Sequence, residues 1–92
     1  MKLPVTVPGL LAESVDGQRR VSVEATTLAD ALHALRESFP NLRTHVWDEA
    51  GAVRQHILIY LNDESITWID DRASRELLAG DELFIIQAVS GG

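Results

Sequence analysis

Hydrophobic and polar positions alternate in two stretches near the start of the chain. They recur at helical spacing in a third, and they merge into an almost unbroken apolar run at the end. From Lys2 to Val7, Leu3, Val5 and Val7 share one side, which predicts a short strand. Pro4 and Pro8 remove two backbone donors, so one side of that strand is expected to be unpaired over part of its length. Leu10 and Leu11 are expected to cover one end of the core, and Asp16-Gly17 is the best hairpin-turn signal in the chain. Arg19 to Glu24 alternates again with Val21 and Val23 inward, and these two strands should pair antiparallel.

Thr27 is a good N-cap, and Asp30 falls in the first turn, where its charge suits the helix dipole. Leu28, Ala31, Leu32, Leu35 and Phe39 form one apolar stripe, His33 and Arg36 lie off it, and Pro40 is expected to stop the helix. Val46-Trp47 reads as a short strand or a packed loop, and Asp48 to Gly51 as a turn. Val53 to Leu61 reads as one long strand, with Ile57, Ile59 and Leu61 on one face and Arg54, His56, Leu58 and Tyr60 on the other. Asn62-Asp63-Glu64 is a second turn, Ile66 to Trp68 a short returning strand, and Asp70 to Ala79 a polar stretch with a helical turn ended by Gly80. The closing run, LFIIQAVSGG from Leu83 to Gly92, begins as a strand apolar enough to be covered on both faces. It should be central, beside the first strand and parallel to it. The order is β-β-α-β-β-β: an α+β domain with a small mixed sheet and one main helix packed on one face.

Ninety-two residues make one domain with a single modest core. The opening residues do not read as a secretory signal, and the run Ile57 to Leu61 is far too short to span a bilayer, so a cytoplasmic address and no membrane partner are expected. Without cysteine there is no thiolate nucleophile and no thiolate metal site. The net charge of −6 lies wholly in the second half, where residues 47–92 hold three basic and nine acidic side chains. Nucleic acid is therefore not the expected partner, since phosphate binding needs a basic patch. The acidic excess is either a solvated face or a field that steers the chain toward a basic partner. His33, His45 and His56 have no metal spacing, and the pairs Asp63-Glu64, Asp70-Asp71 and Asp81-Glu82 read as solvated turns.

The terminal Gly-Gly is weak by itself, since chance gives such a pair in roughly one chain in 200. It gains weight because no polar linker separates it from the strand. Val89 to Gly92 is expected to be a flexible tail with a reach of about 13 Å, slender enough at Gly91 and Gly92 to thread a narrow channel.

The opening strand and hairpin VTVPGLLAESVDGQ, the helix start TTLADALHAL, YLNDE at 60–64, AGDEL at 79–83 and the end IIQAVSGG together resemble the ubiquitin-like sulfur carriers. This is the β-grasp family that includes the thiamine sulfur carrier and the small subunit of molybdopterin synthase. The likeness covers essentially the whole chain and is greatest to the carriers that donate sulfur for cysteine synthesis. It departs from the molybdopterin branch at Gln87-Ala88, where prolines are usual.

The resemblance implies a protein cosubstrate and not an enzyme. An ATP-dependent, E1-like adenylyltransferase/sulfurtransferase would transfer AMP to the carboxylate of Gly92, and sulfur would then displace AMP to leave a thiocarboxylate. A sulfur-accepting synthase, of pyridoxal-phosphate type if the product is an amino acid, would be the second partner. The chain has no Gly-rich phosphate loop, so ATP belongs to the partner, and this chain is expected to bind no cofactor or metal and to be a monomer alone. Val89, Ser90 and Gly91 would enter the partner, while Leu58 and Tyr60 on the outer face of the long strand would form an apolar docking patch. Two other readings share the same features: a modifier joined through Gly92 to lysines of target proteins, and an interaction module with a passive end.

Overall fold

The computed structural model describes residues 1–88. The first alternating stretch is β1 (Lys2–Thr6) and the second is β2 (Arg20–Glu24). They pair antiparallel, Leu3 opposite Val23 and Val5 opposite Val21. Val7 N donates to Arg19 O and Ala25 N to Met1 O, so the odd-numbered residues of β1 turn their backbone groups toward β2. Pro4 thus turns its missing donor the other way, toward β5 (Leu83–Gln87). On that side parallel pairing covers only Val5 with Leu83 and Thr6 with Phe84, which is the partly unpaired edge the prolines predict.

The sheet runs β2-β1-β5-β3-β4, with β3 (Ile57–Leu61) and β4 (Glu64–Ser65) completing it. The last strand is central and parallel to the first, as expected. Helix α1 (Leu28–Ser38) starts where expected, with Thr27 Oγ1 accepting from Asp30 N at 3.1 Å. Leu28, Ala31, Leu32 and Leu35 are buried with Leu3, Val5, Ile57, Ile59, Leu83 and Ile85 in the core. No described helix is long and apolar enough to cross a membrane.

Several expectations are corrected. Asp16 and Gly17 do form a turn, with φ of 59° and 79°, but they close a 3-10 helix over Gly9–Val15 and do not join the strands directly. Leu11 and Val15 of that helix are buried, whereas Leu10 is 77% exposed and covers nothing. Pro40 ends α1 and also begins a second helix, α2 (Pro40–Val46), because proline suits a first helical position, where its missing N–H would be unpaired anyway. The described residues therefore hold two α-helices, and Leu42 and Val46 of the second are buried. Val53 to Leu61 is not one strand. Val53 makes a lone bridge to Trp47, and regular pairing starts at Ile57. Ile66–Trp68 is a 3-10 helix behind a two-residue β4, and Asp70 to Ala79 holds turns and a bridge from Glu76 to Thr27 in place of a helical turn.

The final strand is not covered on both faces. Leu83 and Ile85 are buried, while Ile86 is 44% exposed. The helices occupy one side of the sheet, and the apolar residues at alternate positions of β5 face out.

Candidate functional site

The expected tail residues Val89, Ser90, Gly91 and Gly92 lie outside the described residues. What precedes them is described up to the last tie to the sheet, where Ala88 N donates to His56 O at 2.7 Å. Gln87 sits opposite Ile57, and its Oε1 is buried with no hydrogen-bond partner among the described residues. The strand is thus held to the sheet as far as the last described residue, and among the described residues the Gln87 acceptor beside it is unused.

Leu58 and Tyr60 share the open face of β3, since residues two apart in a strand point the same way. The register places Ile86 directly opposite Leu58 and Phe84 directly opposite Tyr60. Leu58 is 40% exposed and Tyr60 and Phe84 are half-buried. Thr6 lies on the far side of Phe84. Pro8, Thr6, Tyr60, Asn62, Phe84 and Ile86 line a shallow depression of about 480 Å³. The two residues expected to dock a partner are therefore together, as half of a four-residue apolar patch that ends where β5 leaves the sheet. Phe84 and Ile86 were missed by sequence reasoning. The alternation inside LFII carries their signal, but it reads as an outward face only once the helices are known to cover one side.

Beyond the other end of this patch, two of the motifs behind the family resemblance meet. Asn62, at φ 57°, accepts from Glu82 N at 3.0 Å and donates through Nδ2 to Asp81 Oδ1 at 2.9 Å. Leu78 N donates to Asp81 Oδ2 at 2.8 Å, and the Arg75 guanidinium stands 3.8 Å away. Burial raises the Asp81 carboxyl, but the Leu78 N–H, the Asn62 amide and the Arg75 charge outweigh it and hold it below its ordinary value. Asp81 is thus a half-buried acceptor and not the solvated turn residue its sequence suggests. It fixes the turn into β5 against the turn out of β3, which sets the register of the patch. Arg20 pairs with Glu82 at 3.1 Å nearby.

Among the described residues no group of three or more His, Cys, Asp or Glu is gathered as a metal would need. The geometry is that of an open apolar sheet face beside the last described residue, Ala88. A five-stranded mixed sheet folded about one long helix, with the final strand central, defines a β-grasp protein of the ubiquitin-like class.

The chain belongs to the ThiS family, whose model matches residues 5–92. It is 28% identical over 94 residues to the sulfur carrier protein CysO of Mycobacterium tuberculosis, covering 100% of both chains. It is 38% identical over 85 residues to small archaeal modifier protein 1 of Haloferax volcanii, covering 89% of this chain and 91% of the relative. The crystal structure of that modifier superposes with a TM-score of 0.76 at 33% identity, over 100% of both chains. The fold is also that of a chain in the Amycolatopsis orientalis BexX/CysO complex, with a TM-score of 0.77 at 23% identity over 98% of this chain and 99% of the other.

Proposed function

We propose that this chain is a sulfur carrier, a protein cosubstrate whose Gly92 carboxylate is adenylated and then converted to a thiocarboxylate that donates sulfur in biosynthesis of cysteine or a related sulfur amino acid. The observation that carries this reading is the ThiS-family match, which runs through both terminal glycines, joined to full-length similarity to a named sulfur carrier. The chemistry explains the division of labour. A carboxylate is ionised at neutral pH and is a poor electrophile. An E1-like partner binds ATP and transfers AMP to the carboxylate, releasing pyrophosphate. Sulfur then adds at the carbonyl carbon, and AMP leaves with the bonding electrons. The tail residues Val89, Ser90 and Gly91 deliver the carboxylate, while Leu58, Tyr60, Phe84 and Ile86 hold the partner against the sheet. A synthase of pyridoxal-phosphate type would then accept the sulfur. The thiamine and molybdopterin pathways are the alternative destinations.

The test is mass spectrometry of the chain after incubation with its activating partner, ATP and sulfide. A product with one oxygen replaced by sulfur, absent when Gly92 is deleted, supports the reading. An unchanged mass in the presence of a partner that turns over ATP on other carriers refutes it.

A second reading is favoured by one observation, the 38% identity to an archaeal modifier protein. Here the same activated Gly92 is captured by lysine amines of other proteins. Isopeptide conjugates recovered from cells under sulfur limitation would establish it, and their absence beside a formed thiocarboxylate would dismiss it.

A further inference from the structure

A cleft of about 500 Å³ opens between α1, the loop that joins α2 to β3, and the edge of β3. It shares no lining residue with the depression beside Phe84. Its floor is apolar and buried: Leu32 of α1, Ile57 and Ile59 of β3, and Ile66. β4 pairs only with Tyr60 and Leu61, so among the described residues no strand covers the edge of β3 from Ile57 to Ile59, and the cleft reaches that edge.

Two cations, Arg36 and Arg72, and no acid line this cleft among the described residues, in a chain whose net charge is −6. Both arginines are half-buried. The Arg36 guanidinium stands over the buried Trp47 ring, its Cζ 5.4 Å from the centroid, which holds it in place by cation–π attraction. Arg72 donates through Nε and Nη2 to Ile66 O at 3.2 and 2.8 Å. A guanidinium carries five N–H donors, so this one acceptor leaves most of them available. Arg20 and Arg75 have carboxylate partners, whereas neither Arg36 nor Arg72 forms an ion pair among the described residues. Asp48, next to Trp47, is turned to its own loop, where Oδ1 accepts from Ala50 N and Ala52 N at 2.9 Å. The same bonds shape the rim of the cleft around Gly51, which takes a φ of 86°. Guanidinium groups held partly out of water attract an anion more strongly than solvated ones do. A concave apolar floor of this size with a few fixed polar groups suits a small molecule.

We propose that this cleft binds a small organic anion, a carboxylate or phosphate ester with an apolar body. The body covers Leu32, Ile57, Ile59 and Ile66, and the acidic group lies in the field of Arg36 and Arg72. Binding there leaves the Phe84 depression open, so the inference stands or falls apart from the sulfur-carrier reading.

The experiment titrates the full isotope-labelled chain with hexanoate, hexyl phosphate, hexanol and inorganic phosphate, followed by NMR. The expected result is a saturable shift with hexanoate or hexyl phosphate at the Trp47 indole N–H, the Gly51 and Ala52 amides and the Arg36 Nε–H. Whichever anion binds tighter names the acidic group. Hexanol has the body without the charge and inorganic phosphate the charge without the body, and each should bind at least about tenfold more weakly. Arg36→Gln should weaken the anion by about tenfold. Ala29→Leu fills the cleft from α1 and removes no charge, and it should abolish binding. Arg72 is kept because it ties down Ile66, and an unfolding curve is recorded for each variant. If Arg36→Gln fails to fold, Ala29→Leu and the hexanol comparison carry the test. Shifts confined to Tyr60, Phe84 and Ile86, hexanol binding as tightly as the anions, or full binding by a folded Arg36→Gln or Ala29→Leu chain would overturn the inference. So would the absence of a saturable shift with either anion up to about 20 mM.

Discussion

Truncating Leu58 separates docking from folding. Leu58 is 40% exposed on the open sheet face, opposite Ile86 at 44%. Full burial of a leucine side chain gains about 1.5–3 kcal/mol, so a partner that covers the exposed two-fifths gains about 0.6–1.2 kcal/mol. Leu58→Ala should therefore weaken docking about 3- to 7-fold. The part already buried in the fold costs about 1–2 kcal/mol of stability, which a domain of this size tolerates. Leu58→Asp goes further, because docking would bury an unpaired carboxylate at a cost of about 3 kcal/mol or more, on the order of 100-fold. The assay is pyrophosphate release by the activating partner at varied carrier concentration, with an unfolding curve for each variant. Docking contacts are made alike in the ground and transition states, so KM should rise and kcat should hold. A KM unchanged within about twofold for both folded variants would refute the docking role of this face.

The other expected outcomes concern the frame around the patch. Leu83 is fully buried at the centre of the sheet, and Leu83→Ala should cost about 2–5 kcal/mol in denaturant unfolding; a loss below about 1 kcal/mol would mean the core is not organised around β5. Asp81 has a lowered carboxyl in the folded state, so its stabilisation is present above its ordinary titration range and lost as pH falls through the lowered one. Asp81→Asn should thus be less stable than wild type at about pH 7, with the gap narrowing by about pH 3. An equal gap at both would show that Asp81 titrates as it does unfolded. Deleting Gly92 should abolish thiocarboxylate formation with no change in the unfolding midpoint, and a shifted midpoint would mean the terminal residue also serves the fold.

Features fixed by neighbours along the chain were legible without the structure. Thr27 caps α1 because its hydroxyl meets the N–H three residues on, and Leu28, Ala31, Leu32 and Leu35 share a face because a helix repeats at that interval. Asp16 and Gly17 turn because both adopt positive φ. Leu83 and Ile85 mark a central strand through composition alone. What stayed hidden depends on distant partners. The residues that follow Pro40 look like a loop, yet Leu42 and Val46 have a core to bury against and form part of α2.

The apolar patch divides the same way. Sequence placed Leu58 and Tyr60 on one face of a strand and ended the chain in two glycines. It gave no sign that Phe84 and Ile86 would join them, because an apolar run looks identical whether one face or both are covered. The tertiary structure decided that by putting both helices on the same side of the sheet. Asp81 shows the same limit at a single carboxylate: beside Glu82 it looks like a solvated turn, and only the approach of Asn62 and Leu78 makes it a half-buried acceptor. Patterns within a few residues record backbone and capping preferences, whereas which surface stays open is set by pairings across the whole chain.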